Sequence, residues 1–155
     1  MNPRTTTLAT TAILFAACLT PRPMPAQAHT PSPCALLSPD QIKVVLGSPV
    51  LIGKPGPNDC TWNDAKGETR VYLSLKDATP EYKAFRDSMQ ATGRLVPVTG
   101  LAEDAFFVSA TGTSAALYTL KARHLLLLTV NGIGYTKSQN EAAERGLATQ
   151  ILPKL

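Results

Sequence analysis

The sequence predicts a single α+β domain in which a mainly antiparallel sheet packs against about three helices. Three observations indicate this fold. Short segments that alternate apolar and polar residues, as strands do, are separated by turns rich in glycine and proline, which favours hairpins. Three other stretches place apolar residues at helical spacing after a helix-start signal. The 155 residues are 44% hydrophobic and 17% charged, which suits one domain with one core.

The first predicted helix begins at Ser38-Pro39-Asp40-Gln41. Serine is a strong N-cap, proline is tolerated at the first helical position, and glutamine three residues after the cap completes a capping box. Gly47 is expected to end the helix. Its apolar stripe consists of Ile42, Val45 and Leu46.

Three strands are predicted to follow this helix. They are Pro49 to Gly53, Cys60 to Trp62, and Thr69 to Leu75. The segments between them, Lys54 to Asp59 and Asp64 to Glu68, contain the proline, glycine and aspartate residues that are typical of turns. Within the third strand, Val71, Leu73 and Leu75 alternate with polar residues, so one face of the strand should be buried.

A second helix is predicted from Thr79-Pro80-Glu81 to Gly93, with an apolar stripe formed by Tyr82, Phe85 and Met89. Four more strands are then predicted: Leu95 to Val98, Ala105 to Ser109, Ala115 to Leu120, and Arg123 to Val130. The last of these is apolar on both faces. Such a run is expected in the middle of a sheet that is covered on both sides.

The closing helix is predicted from a capping box formed by Ser138 and Glu141. Ala143, Leu147 and Ile151 form its apolar stripe, and Pro153 should end it. The predicted order of elements is therefore α-β-β-β-α-β-β-β-β-α.

Residues 1–28 have the composition of a signal peptide. Arg4 precedes the uncharged stretch Leu8 to Leu19, which is too short to cross a bilayer, since a spanning helix needs about 20 residues. Ala26-Gln27-Ala28 is a small-x-small pattern that predicts cleavage after Ala28. The alternative is an imperfect lipobox at Phe15 to Cys18, which would anchor the protein through a lipid at Cys18. Cleavage after Ala28 leaves residues 29–33 as a linker and residues 34–155 as the domain.

Net charge argues against nucleic acid as a partner. The whole chain carries +4, but the signal peptide contains Arg4 and Arg22 and no acid, so the mature chain carries +2. The remaining basic residues are scattered among acidic and apolar ones, whereas nucleic-acid binding requires a basic cluster. The expected partner is instead an unknown small molecule or a protein of the cell envelope.

Cysteine content agrees with export. Cys34 and Cys60 remain after the signal peptide is removed, an even number in an oxidising compartment, so we expect them to form a disulfide. The alternative is two separate buried thiols. Their spacing matches no zinc site.

Four fragments of the chain together resemble a family of small bacterial secreted proteins and lipoproteins of unknown function. They are Cys34-Ala35-Leu36-Leu37-Ser38, Val45-Leu46-Gly47-Ser48-Pro49-Val50, Cys60-Thr61-Trp62 and Gly100-Leu101-Ala102-Glu103-Asp104-Ala105-Phe106. The resemblance extends from Cys34 to about Leu152. It implies that Cys34 and Cys60 are the family's disulfide, and it implies the mixed helix and sheet order. It implies no catalytic residue.

No motif in the sequence specifies a reaction, and we predict no catalytic, cofactor-binding or metal-ligating residue. Two alternatives to a binding protein stay open. A small hydrolase would need two acids held across a cleft, and its candidates are Asp59, Asp64, Glu103 and Asp104. We expect these acids to occupy turns, with Asp104 bonded to a backbone amide between Gly100 and Ala105.

The second alternative is copper binding. After cleavage, the amine and imidazole of His29 would chelate the ion, with His124 as a further nitrogen ligand.

The interpretation that best fits the sequence is a non-enzymatic binding module. Its ligand would lie between helix and sheet, or its partner would dock on an exposed sheet edge. The candidate aromatic residues for contact with a ligand are Trp62, Tyr72, Phe106 and Tyr118. The alternative is that they pack in the core.

Overall fold

The computed structural model describes residues 30–109 and 113–155. The predicted signal peptide, the lipidation site at Cys18 and the ligand candidate His29 lie outside the described residues. Within these ranges, no helix combines the length and apolar character that a membrane span requires. The helices are α1 (Pro33–Leu36), α2 (Pro39–Leu46), α3 (Glu81–Ala91) and α4 (Lys137–Ile151), and a 3₁₀ turn follows at Leu152–Lys154.

Seven strands form one antiparallel sheet in the order β1-β2-β3-β7-β6-β5-β4. The predicted α+β class with a mainly antiparallel sheet is confirmed, and the run from Arg123 to Val130 lies mid-sheet as β7. The strands are β1 (Lys54–Pro55), β2 (Asp59–Asn63), β3 (Thr69–Asp77), β4 (Leu95–Pro97), β5 (Asp104–Ser109), β6 (Ala115–Lys121) and β7 (His124–Gly132).

Two elements differ from the prediction. The short helix α1 was not predicted, because four residues hold too little periodicity to signal a helix. The strand predicted at Pro49 to Gly53 is wrong, and β1 lies instead within the predicted turn. Val50 is buried, but Leu51 and Ile52 are 54% and 83% exposed, so the segment lacks the alternating buried face that would hold it in the sheet.

Helix caps were predicted correctly for α2 but not for α4. Ser38 Oγ accepts the Gln41 N–H at 3.2 Å, and Gly47 ends α2 with a left-handed φ of 72°. In α4 the capping box is formed by Thr136 and Gln139, not by Ser138 and Glu141. Thr136 is the last extended residue before the helix, so its side chain, rather than that of Ser138, reaches the free N–H groups.

The inner face of the sheet is covered by α1, α2 and α4, and it holds the main core. The Cys34–Cys60 disulfide, with a Cα–Cα distance of 5.1 Å, joins α1 to β2 in this core and confirms the predicted pair. Gly53 lies so close to this disulfide that a Cβ at residue 53 would be only 2.6 Å from both Cys60 Sγ and Trp62 Nε1. The inner face is therefore densely filled.

The outer face of the sheet is covered only in part. Of the outward side chains of β7, Leu125, Leu127 and Thr129 are half-buried, whereas the inward Leu126 and Leu128 are at most 1% exposed. The expectation that β7 is covered on both sides is therefore wrong for its outer side. Among the helices that the structure describes, only α3 packs on this face, and none of its residues is fully buried.

Candidate functional site

Four aromatic rings meet where α3 crosses the outer face. Phe106 on β5 and Tyr118 on β6 are cross-strand partners whose rings stack with centroids 5.5 Å apart. From α3, the Phe85 ring lies 5.0 Å from that of Tyr118, and the Tyr82 ring lies 6.1 Å from that of Phe106. Tilted and offset pairs at these distances are favourable. This aromatic cluster joins α3 to β5 and β6.

A polar clamp fixes α3 beside the cluster. Tyr82 Oη donates a hydrogen bond to Asp104 Oδ2 at 2.8 Å, and Arg86 Nε lies 2.8 Å from the same oxygen. Burial, together with the hydrogen bond and negative charge of Asp104, raises the pKa of Tyr82 far above its usual value, so the phenol stays protonated. The Arg86 guanidinium also lies over the Phe106 ring, 5.8 Å from its centroid.

Between α3 and the sheet lies an open cleft of about 270 Å³, which we call the α3 cleft. It is lined by Thr79, Glu81, Tyr82, Phe85, Tyr118 and Leu125. Burial raises the pKa of the Tyr118 hydroxyl, so this group also stays neutral. The cleft combines exposed ring surface with hydroxyl groups and one carboxylate, which is the mixture that small-molecule sites use.

The four aromatic residues singled out from the sequence occupy different places. Trp62 is 1% exposed on the inner face beside the disulfide, so it packs in the core. Phe106 is fully buried beneath α3. Tyr118 lines the α3 cleft, and Tyr72 is half-buried on the outer face of β3, outside the set of residues that line the cleft.

The acids considered for hydrolysis have structural contacts. Asp104 accepts from the Tyr82 side chain, so the expectation that it bonds a backbone amide in its own turn is wrong: the outer-face position of Asp104 directs its carboxylate at α3. Glu103 Oε1 instead accepts the Ala122 N–H at 2.7 Å. Asp64 Oδ1 accepts the Glu68 N–H at 2.8 Å within the β2–β3 turn.

Asp59, the fourth acid, lies against the backbone of Gly56, where a Cβ would approach its Oδ1 to 2.3 Å. Asp64, Glu103 and Asp104 thus accept hydrogen bonds within the fold, and Asp59 packs against Gly56. Such contacts hold turns and helices in place and do not assemble two carboxylates on one substrate.

His124 lies at the end of β7, where its Nδ1 is 3.5 Å from Asp77 Oδ1. Arg123 Nε lies 3.6 Å from the same carboxylate oxygen. Across residues 30–109 and 113–155, no three histidine, cysteine, aspartate or glutamate side chains form a group that could hold a metal ion. The proposed chelate depends on His29, which is outside these residues, so copper binding stays a prediction.

Sequence reasoning missed two buried polar side chains on α4. The β6–β7 ladder extends only from Lys121↔His124 to Leu117↔Leu128, and beyond it the N–H of Val130 donates to Glu144 Oε1 at 2.8 Å. Asn140 Nδ2 donates to the Thr113 carbonyl at 3.1 Å. Glu144 and Asn140, which are 0% and 1% exposed, thus take the place of missing ladder bonds where the two strands separate.

Burial raises the pKa of Glu144 to about 8, against the lowering effect of the Val130 hydrogen bond. The acid is therefore mostly protonated at pH 7. A signal for this pair exists in the sequence, because Asn140 lies three residues before Ala143 and Glu144 three before Leu147, on the same helical face as the predicted stripe. Since Glu144 is wholly enclosed, it serves the fold and does not face a ligand.

Three larger concavities among the described residues have a different character, and one of them, of about 320 Å³, is a polar hollow whose lining includes Arg70, Asn131 and Asn140. A groove of about 410 Å³ between α2 and α4 is lined mainly by aliphatic side chains, including Val45 and Leu46, with Tyr135 as its aromatic residue. A hollow of about 470 Å³ lies between the Gly100 to Glu103 turn and the end of α4. Among these sites, the α3 cleft brings together the most ring surface, and we take it as the candidate site.

Comparison with known proteins found no matching protein family, no similar curated protein and no similar solved structure. The resemblance to small bacterial secreted proteins and lipoproteins therefore stays a prediction from the sequence fragments.

Proposed function

We propose that this protein is an exported, non-enzymatic binding domain that holds an apolar or aromatic group of a small molecule in the α3 cleft. The observation that carries the proposal is the half-exposed ring surface of Tyr82, Phe85 and Tyr118 around one opening. Aromatic surface left accessible in a concave site provides large contact area at low entropic cost.

The packing of α3 supports this role. Its half-buried side chains hold it on the sheet through ring contacts and the Asp104 clamp, and none of the residues in this fully described helix is buried. A helix attached in this way can shift by small amounts without opening the main core, because that core lies on the other face. Entry of a ligand beneath α3 would therefore cost little of the stability of the fold.

The sheet edges favour the cleft over the docking of a partner strand. The edge strand β1 has two residues and contains Pro55, and β4 has three residues and contains Pro97. Short edges with proline offer few free N–H groups for pairing with another chain. An envelope protein that adds a strand would find little to bind at either edge.

The cellular location that we propose rests on the signal peptide predicted at residues 1–28. The Cys34–Cys60 disulfide is consistent with an oxidising compartment outside the cytoplasm. We propose a periplasmic or secreted mature form that begins at His29, with a lipid anchor at Cys18 as the alternative. The intact mass of the exported protein distinguishes the two, because lipidation adds acyl chains to a form that begins at Cys18.

The binding proposal is tested by NMR titration of the mature protein with benzyl alcohol. We expect the largest chemical-shift changes at Leu125, Tyr118 and Phe85, and we expect the Phe85→Ala variant to bind several-fold more weakly because it loses a wall of the cleft. Ile52→Ala is the matched control, since Ile52 is an exposed apolar residue outside the cleft. Shifts centred on Val45 and Leu46, or full binding by a folded Phe85→Ala variant, would contradict the proposal.

A further inference from the structure

The lining of the α3 cleft has a particular chemical composition. Tyr82, Phe85 and Tyr118 contribute aromatic rings, and of the described lining residues Glu81 alone is ionised at neutral pH. The face of an aromatic ring carries partial negative charge and attracts cations, especially those with a diffuse charge. Rings grouped with a carboxylate are complementary to a cation that also has apolar surface.

The same aromatic cluster already binds a cation within the protein. The Arg86 guanidinium lies over Phe106, the buried ring that stacks on Tyr118. Asp104, whose Oδ2 lies 2.8 Å from Arg86 Nε, balances this charge. Asp104 thus balances the positive charge of Arg86, which reduces the repulsion of a second cation.

Glu81 lies on the rim of the cleft at the start of α3 and is exposed to solvent. A hydrogen bond with the Thr79 side chain, and then one with its own backbone, lowers the pKa of the Glu81 carboxyl, so the group is fully ionised at neutral pH. Its full negative charge outweighs the partial positive charge of the first helical turn. The rim therefore presents negative charge.

The volume of the cleft limits the size of the bound group. At about 270 Å³ it lies just below the range of about 300–1,000 Å³ that is typical of sites for drug-sized ligands. A compact head group fills an open cleft of this volume, and any longer part of a ligand would stay in solvent. A trialkylated ammonium group is compact, carries diffuse charge and has methyl groups that fit against rings.

We infer that the α3 cleft is an aromatic cage for the alkylated ammonium group of a small, free solute of the choline type. This inference rests on the proposed function, because it names the ligand class of the same cleft. Tyr82, Phe85 and Tyr118 would surround the methyl groups, and Glu81 would face the cation from the rim. Held by the clamp, Tyr82 is already oriented before the ligand arrives.

The inference is tested by calorimetric titration of the mature protein with three probes of nearly equal shape. These are choline, its uncharged tert-butyl isostere in which carbon replaces nitrogen, and the corresponding tert-butyl carboxylate. We expect choline to bind about fivefold to tenfold more tightly than the neutral probe, and the carboxylate to bind most weakly.

Two variants separate the contributions of ring and charge. Phe85→Leu keeps an apolar side chain but removes a ring, so most of the preference for choline should disappear while the neutral probe still binds. Tyr72→Leu, which removes a ring from the same sheet face outside the cleft, should change neither affinity.

Glu81→Gln tests the charge. It should weaken choline binding about twofold at low salt and not at high salt, because exposed charges are screened. Asp87→Asn, an exposed acid on the same helix, is its control.

The possible failures are distinct. Equal affinity for choline and the neutral probe, or tightest binding of the carboxylate, would overturn the ammonium inference and leave the α3 cleft as a binding site. The carboxylate result would point to Lys76, the cross-strand partner of Leu125. Binding of phosphatidylcholine vesicles without binding of free choline would overturn the free-solute source. If neither these probes nor benzyl alcohol bind, the proposed function fails as well.

Discussion

The two faces of the sheet differ in how they are covered, although the same strands form both. On the inner face, three helices and a disulfide enclose side chains such as Leu73 and Leu128, both 0% exposed. On the outer face, α3 rests on an aromatic cluster with half-buried side chains, and the residues of β3 and β7 beside it stay partly open. One face therefore supplies stability, and the other has accessible surface available for binding.

Strand β7 shows the same difference in burial between its two faces. Leu126 and Leu128 point inward and are buried, whereas Leu125 and Leu127 point outward and are half-buried. Since these four leucines are chemically identical, the difference arises from what packs above each face. Substitutions at neighbouring positions should therefore differ in cost, and the predictions below run from the largest expected effect to the smallest.

The sharpest test of the comparison is a pair of leucine truncations in β7. Leu128→Ala should reduce the free energy of unfolding by about 3–4 kcal/mol, because it leaves a cavity in a closed core. Leu127→Ala, on the outer face, should cost about 1 kcal/mol, because solvent and α3 can adjust around it. Urea unfolding of both variants measures the difference. Equal costs would show that the outer face is as tightly packed as the inner one.

Removing the disulfide should weaken the inner face and spare the α3 cleft. The double variant Cys34→Ala and Cys60→Ala is expected to lose about 3 kcal/mol, since the bridge restricts a loop with a sequence separation of 26 in the unfolded chain. The folded fraction should keep its affinity for benzyl alcohol. Loss of binding without loss of stability would mean that the two faces are coupled.

The Glu144 acid should make stability depend on pH. Its pKa is about 8 in the folded protein and near 4.5 when exposed, so the folded state binds more protons between these values. Stability is therefore greatest at low pH within this window and falls as pH rises through it, by about 2 kcal/mol between pH 5 and 7. Above about pH 8 the effect levels off.

The measurement is urea unfolding at several pH values for the wild type and the Glu144→Gln variant, which should lose this part of the pH dependence. Asp87→Asn, an exposed acid on α3 that does not contribute to the raised pKa of Glu144, is the control. If the wild type and Glu144→Gln show the same pH profile, Glu144 is ionised in the folded state and the burial argument is wrong.

The smallest effect is expected at the clamp on α3. Asp104→Asn should lower global stability by about 1 kcal/mol, because a charged acceptor for Tyr82 and Arg86 is lost from a partly exposed site. Amide exchange in α3 should accelerate more than exchange in β7. Asp87→Asn removes only an exposed pair with Lys83 and should change little. Uniform acceleration across the sheet would indicate that α3 is part of the main core.

Several features that depend on a few neighbouring residues were predictable, although the α4 capping box was predicted two residues too late. The α2 capping box joins residues three apart, and the Asp64 turn joins residues four apart, so the local sequence contains both partners. Alternation in β3 identified its buried face in the same way. The Cys34–Cys60 pair was predictable for a different reason, since an exported chain with two cysteines has one intramolecular bridge to make.

Contacts between distant segments could be identified only from the tertiary structure. Asp104 meets Tyr82 across 22 residues, and Glu144 meets Val130 across 14, so no local pattern indicates either partner. Tyr118 and Trp62 both occur on strands with similar patterns, yet only Tyr118 lines the cleft.

The amino-acid sequence by itself determined the class of fold, the helix and strand segments in outline, and the cysteine pair, because periodicity, capping and turn chemistry act over a few residues. Which face of the sheet stays open was decided only by the tertiary structure. That choice depends on where α3 and α4 come to rest, and their positions follow from the packing of the whole chain.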